Sequence, residues 1–330
     1  MTFLISYRAF LKISVQKIEH ICKVFKNLNK KPVAWFLLIF LAVVWGSCFI
    51  LIKKSLVVFD SNEVGSLKIL VSFLLLLPFA IFRRRKLNKK SIFFISVVAL
   101  IGSLAPAFLF AKAQTGIESH LAGILNSLTF LFTLLIGMFF FGVKTRWYNF
   151  IGIGIGFFGA AGLIGVSGGD GFHVNLSYAV YAIIATICYA INVNIVKRYL
   201  HDVDSLSITT FSVIVLGIPM AIYVFFFTDS PKQIINETGA LEALGYVVLL
   251  AILKTGFAQV SFNHLIKISS PVFASSVTYL IPIVAIFWGV LDGEEFKLVY
   301  LVWIGMILCG VFLVNLKHPK KTFQFSHFKI

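Results

Sequence analysis

Acidic residues are scarce, with 13 Asp and Glu against 29 Lys and Arg in 330 residues. None of the 13 falls deep inside an apolar run, which argues against a buried carboxylate proton relay. Cysteine is scarcer still. Cys22, Cys48, Cys188 and Cys309 stand one to a segment, with neither metal-ligand nor redox spacing, and read as small apolar fillers. Neither a metal site nor a cofactor is expected. Long polar stretches are also missing. The breaks between apolar runs hold at most 14 residues, too few for a soluble domain.

What is abundant is apolar. The chain is 59% hydrophobic with 36 Phe, and its mean hydropathy is +0.96. The apolar residues come in runs of about 20, the length that crosses a hydrocarbon core of roughly 30 Å. Within lipid each run satisfies its own backbone hydrogen bonds only as a helix. Ten spans follow: 32–52, 62–82, 91–111, 119–141, 148–166, 175–196, 205–227, 242–263, 271–291 and 296–316.

The formal charge of +16 suggests a nucleic-acid binder until its placement is read. Of the 29 basic residues, 22 lie in alternate breaks and in the two tails. That alternation puts both termini in the cytoplasm of a plasma-membrane, multi-pass protein and excludes nucleic acid as the partner. Residues 1–31 place Leu4, Leu11, Val15, Ile18, Cys22 and Phe25 at helical spacing among Lys12, Lys17, Lys23 and Lys26. They read either as an amphipathic helix on anionic lipid or as a loose basic tail. Nothing there reads as a cleavable signal peptide. Residues 317–330 form a second basic tail, and oligomeric state is not legible.

The apolar spans repeat. At an offset of 152, Thr278 falls on Asn126, Ser275 on Gly123 and Ala274 on Ala122. At an offset of 144, Trp45 falls on Tyr189, Lys53-Lys54 on Lys197-Arg198, and Asp60-Ser61 on Asp204-Ser205. The unit is five spans, 32–166 and then 175–316. Five is odd, so the second copy is inverted relative to the first, and such repeats place a binding site near the midplane.

Several residues then resemble a known family. They are Trp45-Gly46-Ser47 with the exit Lys53-Lys54, the junction Lys112-Ala113-Gln114, and Ser127-Leu128-Thr129. Tyr279-Leu280-Ile281-Pro282 before Gly293-Glu294-Glu295 completes the set. Their order resembles the EamA type of the drug/metabolite transporter superfamily over residues 32–316. The resemblance implies ten helices as two inverted five-helix repeats around a cavity, moving small metabolites such as amino acids without a cofactor. Three departures stand out. Phe130 takes the place of the Pro that Pro282 supplies in the second copy. Val143 replaces the Glu that Glu295 supplies, and Lys254 stands where the family has Gly, as Gly102 is in the first copy.

Lys254 is the sharpest chemical signal. It lies roughly 14–18 Å from either end of its span, beyond the reach of snorkelling. An ammonium there needs a partner, and an anionic or zwitterionic substrate group is one. The bland alternative is a structural lysine bonded to backbone or amide oxygens. Thr255, Gln259 and Asn263 form a stripe beside it at successive fours. Asn126, Thr129 and Thr133 share a face on the fourth span, and Tyr178, Tyr181, Tyr189 and Asn192 share one on the sixth. Such stripes line a cavity or glue helices together. The candidate substrate-binding residues are therefore Lys254, Gln259, Asn263, Asn126, Thr278, Tyr189 and Asn192. Lys68, about six residues into its span and close enough to an end to snorkel, joins Trp45 and Pro282 as candidate gating or lip residues.

Two motif matches are rejected. Gly154–Gly159 spells a dinucleotide fingerprint but follows no strand, and helix packing explains its glycines. Gly165–Gly169 spells a nucleophile elbow around Ser167 but lacks a base at its depth. The glycosylation patterns at Asn175 and Asn236 matter only in a secretory pathway. The sequence thus reads as an all-α polytopic secondary transporter for a small organic molecule, with no catalytic residue. An intramembrane protease or lipid-modifying transferase is the alternative.

Overall fold

A computed structural model describes residues 30–82, 87–143, 147–166 and 176–315. The described residues are helical with short connections and include no strand. Among the described residues eight helices are long and apolar enough to cross a bilayer. In chain order the first four are α1 (Lys30–Ser55), α2 (Ser61–Phe82), α3 (Lys89–Ala113) and α4 (Ser119–Phe141). The other four are α6 (Leu176–Tyr199), α7 (Ser205–Phe227), α9 (Ala240–Ile268) and α10 (Phe273–Leu291, whose first turn begins at Pro271). Helices α5 (Trp147–Val166) and α11 (Tyr300–Asn315) carry the shorter apolar stretches Asn149–Gly159 and Tyr300–Gly310. Sequence alone did not show α8 (Ser230–Asn236), a short helix between α7 and α9. The chain is a multi-pass, all-α membrane protein. Most of both basic tails, residues 1–29 and 316–330, lies outside the described residues.

Capping chemistry fixes where the rods begin. Asp60 accepts from the backbone of Glu63 at 2.8 Å, and Glu63 returns the bond by accepting from Asp60 N at 2.9 Å, a capping box at the head of α2. Asp204 caps α7 through Ser207 N at 3.1 Å, so the two aspartates matched by the sequence echo do the same work. Asn88 and Ser270 cap α3 and α10 in the same way. Gly142 (φ 66°) and Gly293 (φ 82°) follow the ends of α4 and α10 in the left-handed conformation, which glycine adopts without penalty.

Four irregularities interrupt the rods near their middles. Helix α3 widens to π geometry at Leu100–Leu104 and α9 at Ala251–Gln259. Helix α4 breaks at Ser127, and α10 tightens to a 3-10 turn at Ser276–Tyr279. Pro106 and Pro282 stand in the first turn of the helix that resumes after the break, where a missing N–H costs nothing. Such local departures gather at functional sites.

Helix α1 packs on α9 and α10, and α6 packs on α3 and α4. Helix α2 lies along α7, and α5 along α11. The last seam is closed by glycine. A Cβ on Gly310 would strike Gly152 O and come within 2.6 Å of Gly156 N, and one on Gly162 would strike the Trp303 ring. The fingerprint-like Gly154–Gly159 run therefore lies inside a packed helix, as its apolar context requires. Ser167 lies outside the described residues.

Candidate functional site

The irregular turns meet around one cavity. Trp45 and Phe49 line it from α1, Phe110 from α3, Asn126 and Thr129 from α4, and Tyr189, Asn192 and Val193 from α6. Lys254, Gln259 and Phe262 enter from α9, and Ser275, Thr278 and Ile281 from α10. All the non-atom space out to its mouth, open solvent included, comes to about 550 Å³.

Among the described residues that line this wall, Lys254 is the one charged side chain. Its Nζ stands 5.9 Å from the centre of the Phe110 ring and 6.0 Å from that of Tyr189, and the Tyr189 phenol is its polar neighbour. Ring faces attract an ammonium without neutralising it. Other polar atoms on the wall have no partner among the described residues: Trp45 Nε1, Thr129 Oγ1 and Asn192 Oδ1. A buried polar atom left unpaired costs stability unless a bound molecule or water completes it. The cavity therefore offers a cation, an indole donor, a hydroxyl and an amide between aromatic faces.

Six of the seven sequence-derived binding candidates line the cavity: Lys254, Gln259, Asn126, Thr278, Tyr189 and Asn192. The seventh does not. Asn263 is 1% exposed and donates to Thr209 Oγ1 on α7 at 3.1 Å. The reason is the π segment. Its wider turn brings residues five apart onto one face, so Gln259 joins Lys254, whereas the α-helical stripe Thr255–Gln259–Asn263 does not hold. Thr278 bonds to Ser275 O at 2.8 Å and reaches across to Ser127 O at 3.4 Å, tying the break in α10 to the break in α4.

Of the three gating candidates, Trp45 lines the cavity and packs edge-on against Phe262 with ring centres 4.7 Å apart. Pro282 is buried beside Ile281 and is not part of the wall. Lys68 departs from its sequence reading. At 6% exposure it lies buried within the bundle and does not snorkel to an end. Phe49, Phe110, Val193, Phe262 and Ile281 were missed, since nothing in an apolar run marks which aromatic or aliphatic residue faces a void. Ser275 was noted only as a repeat match.

An ion-pair cluster closes the end of the bundle where α1 finishes. Lys53 Nζ lies 2.8 Å from both Glu118 and Glu294, and Lys54 pairs with Asp292. Glu294 also accepts from Ser119 N at 3.0 Å, from Ser119 Oγ at 2.5 Å and from His120 N at 3.1 Å. Burial by itself pushes this carboxyl up, but bonds from His120, Lys53 and Ser119 outweigh it and hold Glu294 well below the usual carboxylate range. The engaged acid is Glu294, not Glu295, which is exposed. Aligning the left-handed glycines Gly142 and Gly293 sets Glu294 opposite Val143, one residue off the 152 offset. At the opposite end the lysine that echoes Lys53, Lys197, bonds to the carbonyls of Ser269 at 2.6 Å and Ile266 at 3.0 Å. Among the described residues no group of three metal-ligating side chains occurs.

Comparison with known proteins agrees with this architecture. The model of the EamA-like transporter family matches twice, over residues 33–165 and 176–316. An uncharacterized inner membrane transporter of Escherichia coli (strain K12), YedA, is 27% identical over 281 residues, covering 84% of this chain and 88% of its own. An uncharacterized transporter of Archaeoglobus fulgidus is 23% identical over 288 residues, covering 85% and 98%. A protein of known crystal structure superposes with a TM-score of 0.61 at 16% identity, over 86% of this chain and 96% of its own, a likeness of fold. With its family model matched across both halves, the chain belongs to the EamA-like transporter family.

Proposed function

We propose that this protein is a secondary transporter that moves a small carboxylate-bearing metabolite, an organic acid or amino acid, across the plasma membrane by alternating access. The observation that carries the reading is Lys254, an unneutralised cation on the wall of a mid-bundle cavity to which both halves contribute. A carboxylate on its ammonium, with Asn126, Asn192 and Gln259 in reach of further polar groups, completes what the protein leaves open.

In this reading ten helices cross the membrane as two inverted repeats, 32–166 and 175–316, with both termini in the cytoplasm. The twofold family match supports it, as do the exchanged packings of α1 on α9 and α10 and of α6 on α3 and α4. The equivalent caps Asp60 and Asp204 and the equivalent π segments of α3 and α9 point the same way. The Lys53–Glu294 cluster then seals the outer end and separates when the cavity opens outward. The basic N-terminal tail rests on anionic lipid.

Transport is tested by uptake of labelled amino acids and organic acids into proteoliposomes, and topology by single-cysteine labelling. Labels at Asn88 and His201 are expected on one side of the membrane. Placement on opposite sides would break the inverted-repeat reading.

A further inference from the structure

Lys254 puts a positive charge on the cavity wall, and no acid answers it. Among the described residues that line the cavity, none is Asp or Glu. Every described Asp and Glu lies in a connection or in the first turn of a helix. They run from Asp60 and Glu63 at the head of α2 to Asp292, Glu294 and Glu295 after α10. An ammonium brought into the cavity by a ligand therefore finds no carboxylate at that depth.

Two other seats for an ammonium are taken as well. Carbonyls freed where a membrane helix breaks can hold a cation. At the break in α4, Ile124 O accepts from Ser127 Oγ at 2.6 Å and Thr129 O from Thr133 Oγ1 at 2.7 Å. At the break in α10, Phe273 O accepts from Ser276 Oγ at 2.7 Å and Ser275 O from Thr278 Oγ1 at 2.8 Å. The chain's own hydroxyls thus fill these positions. Ring faces are the second seat, and the Phe110 and Tyr189 rings already face the Lys254 ammonium.

What the wall leaves open is uncharged. Trp45 Nε1 is a donor, Thr129 Oγ1 can give or accept, and Asn192 Oδ1 accepts; none has a partner among the described residues. Asn192 is 2% exposed, and its amide lies against the backbone of the π segment in α3. A Cβ on Gly102 would come within 2.5 Å of Asn192 Cγ, so the glycine is what lets the amide sit there.

We propose that the cavity takes hydroxy acids in preference to amino acids of the same carbon skeleton, and that Asn192 sets this preference. The ligand's carboxylate supplies the acceptors that Lys254 and Trp45 Nε1 call for. Its hydroxyl supplies the uncharged donor that Asn192 Oδ1 calls for. An ammonium could also donate to Asn192, but it adds a second positive charge beside Lys254. Held about 6 Å from Nζ, through an effective dielectric constant of about 20, it would lose on the order of a hundredfold in affinity. The inference rests on the reading of the cavity as a carboxylate site.

Ligand-linked thermal stabilisation of the purified full chain tests it with matched pairs. The pairs are lactate and alanine, 3-hydroxybutyrate and 3-aminobutyrate, and phenyllactate and phenylalanine. Propionate, butyrate and 3-phenylpropionate serve as the deoxy controls. In wild type at least one hydroxy acid is expected to bind about tenfold or more tightly than both its amino and its deoxy counterpart. In Asn192→Val the hydroxy-to-deoxy ratio falls to about one. Asn192→Asp, which keeps the size of the amide, supplies the missing carboxylate and turns the preference towards the amino acid. Amino acids that bind as tightly as the hydroxy acids in wild type overturn the proposal and leave the carboxylate reading standing. So does a deoxy acid equal to its hydroxy acid, or a ratio that Asn192→Val does not change. Should no probe stabilise wild type, the proposal and the carboxylate reading fall together.

Discussion

Glu294 holds His120 by two bonds, one from the backbone N–H at 3.1 Å and one to Nδ1 at 2.6 Å. The carboxylate thereby sits on the N-terminus of α4, where the helix dipole favours negative charge. It also pulls in Lys53 from the end of α1. Three helices that bring side chains to the cavity, α1, α4 and α10, are tied at one end by a single side chain 1% exposed.

Glu294→Ala is expected to cost about 3–5 kcal/mol, because it leaves Lys53 and the α4 N-terminus without their central acceptor. Glu294→Gln keeps an acceptor oxygen and costs less. Chemical denaturation in detergent measures both. An Ala variant as stable as wild type would show that the cluster contributes nothing to holding this end shut.

The same carboxylate predicts a pH profile. Its folded value lies below its unfolded one, so its contribution is full above the ordinary carboxylate range, about 4.3, and fades only as pH falls through the depressed value. The stability gap between wild type and Glu294→Gln should stay constant from neutrality down to about pH 5 and shrink in stronger acid. Thermal melts across that range check it. A gap that closes near neutrality would contradict the assignment.

Lys254→Met should weaken carboxylate binding about 10- to 100-fold, the worth of one charge-assisted hydrogen bond. Stability of the empty protein should hold or rise, since a buried charge is exchanged for an apolar chain of similar length. Binding assays paired with melts separate the two effects.

The α5–α11 seam predicts a contrast between glycines. Gly310→Ala should cost about 1–3 kcal/mol through overpacking against Gly152 and Gly156. Gly154→Ala and Gly305→Ala meet open space and should be neutral or mildly stabilising. Parallel melts of the three variants distinguish close packing from a general intolerance of alanine.

How far the sequence carried these conclusions depends on what kind of signal each residue leaves. The long helices announce themselves as apolar runs, whereas Asp60 and Asp204, noted in the sequence only as a repeat match, are shown by the structure to cap α2 and α7. Lys254 was legible because a charge deep in an apolar span has few explanations. Asn263 was misplaced because a π turn leaves no trace in composition, yet shifts every later side chain to a new face. Glu294 was passed over for Glu295 because one fixed offset was carried through a connection that slips by a residue. Lys68 looked able to snorkel because depth along a helix says nothing about which neighbours cover it.

Counterflow in proteoliposomes, with labelled carboxylates exchanged by wild type and by Lys254→Met side by side, tests the central claim most directly. Wild type should accelerate exchange of at least one carboxylate, and Lys254→Met should cut that exchange about 10- to 100-fold at a subsaturating concentration. Equal exchange by the two proteins would show that the cation in the cavity does not hold the substrate.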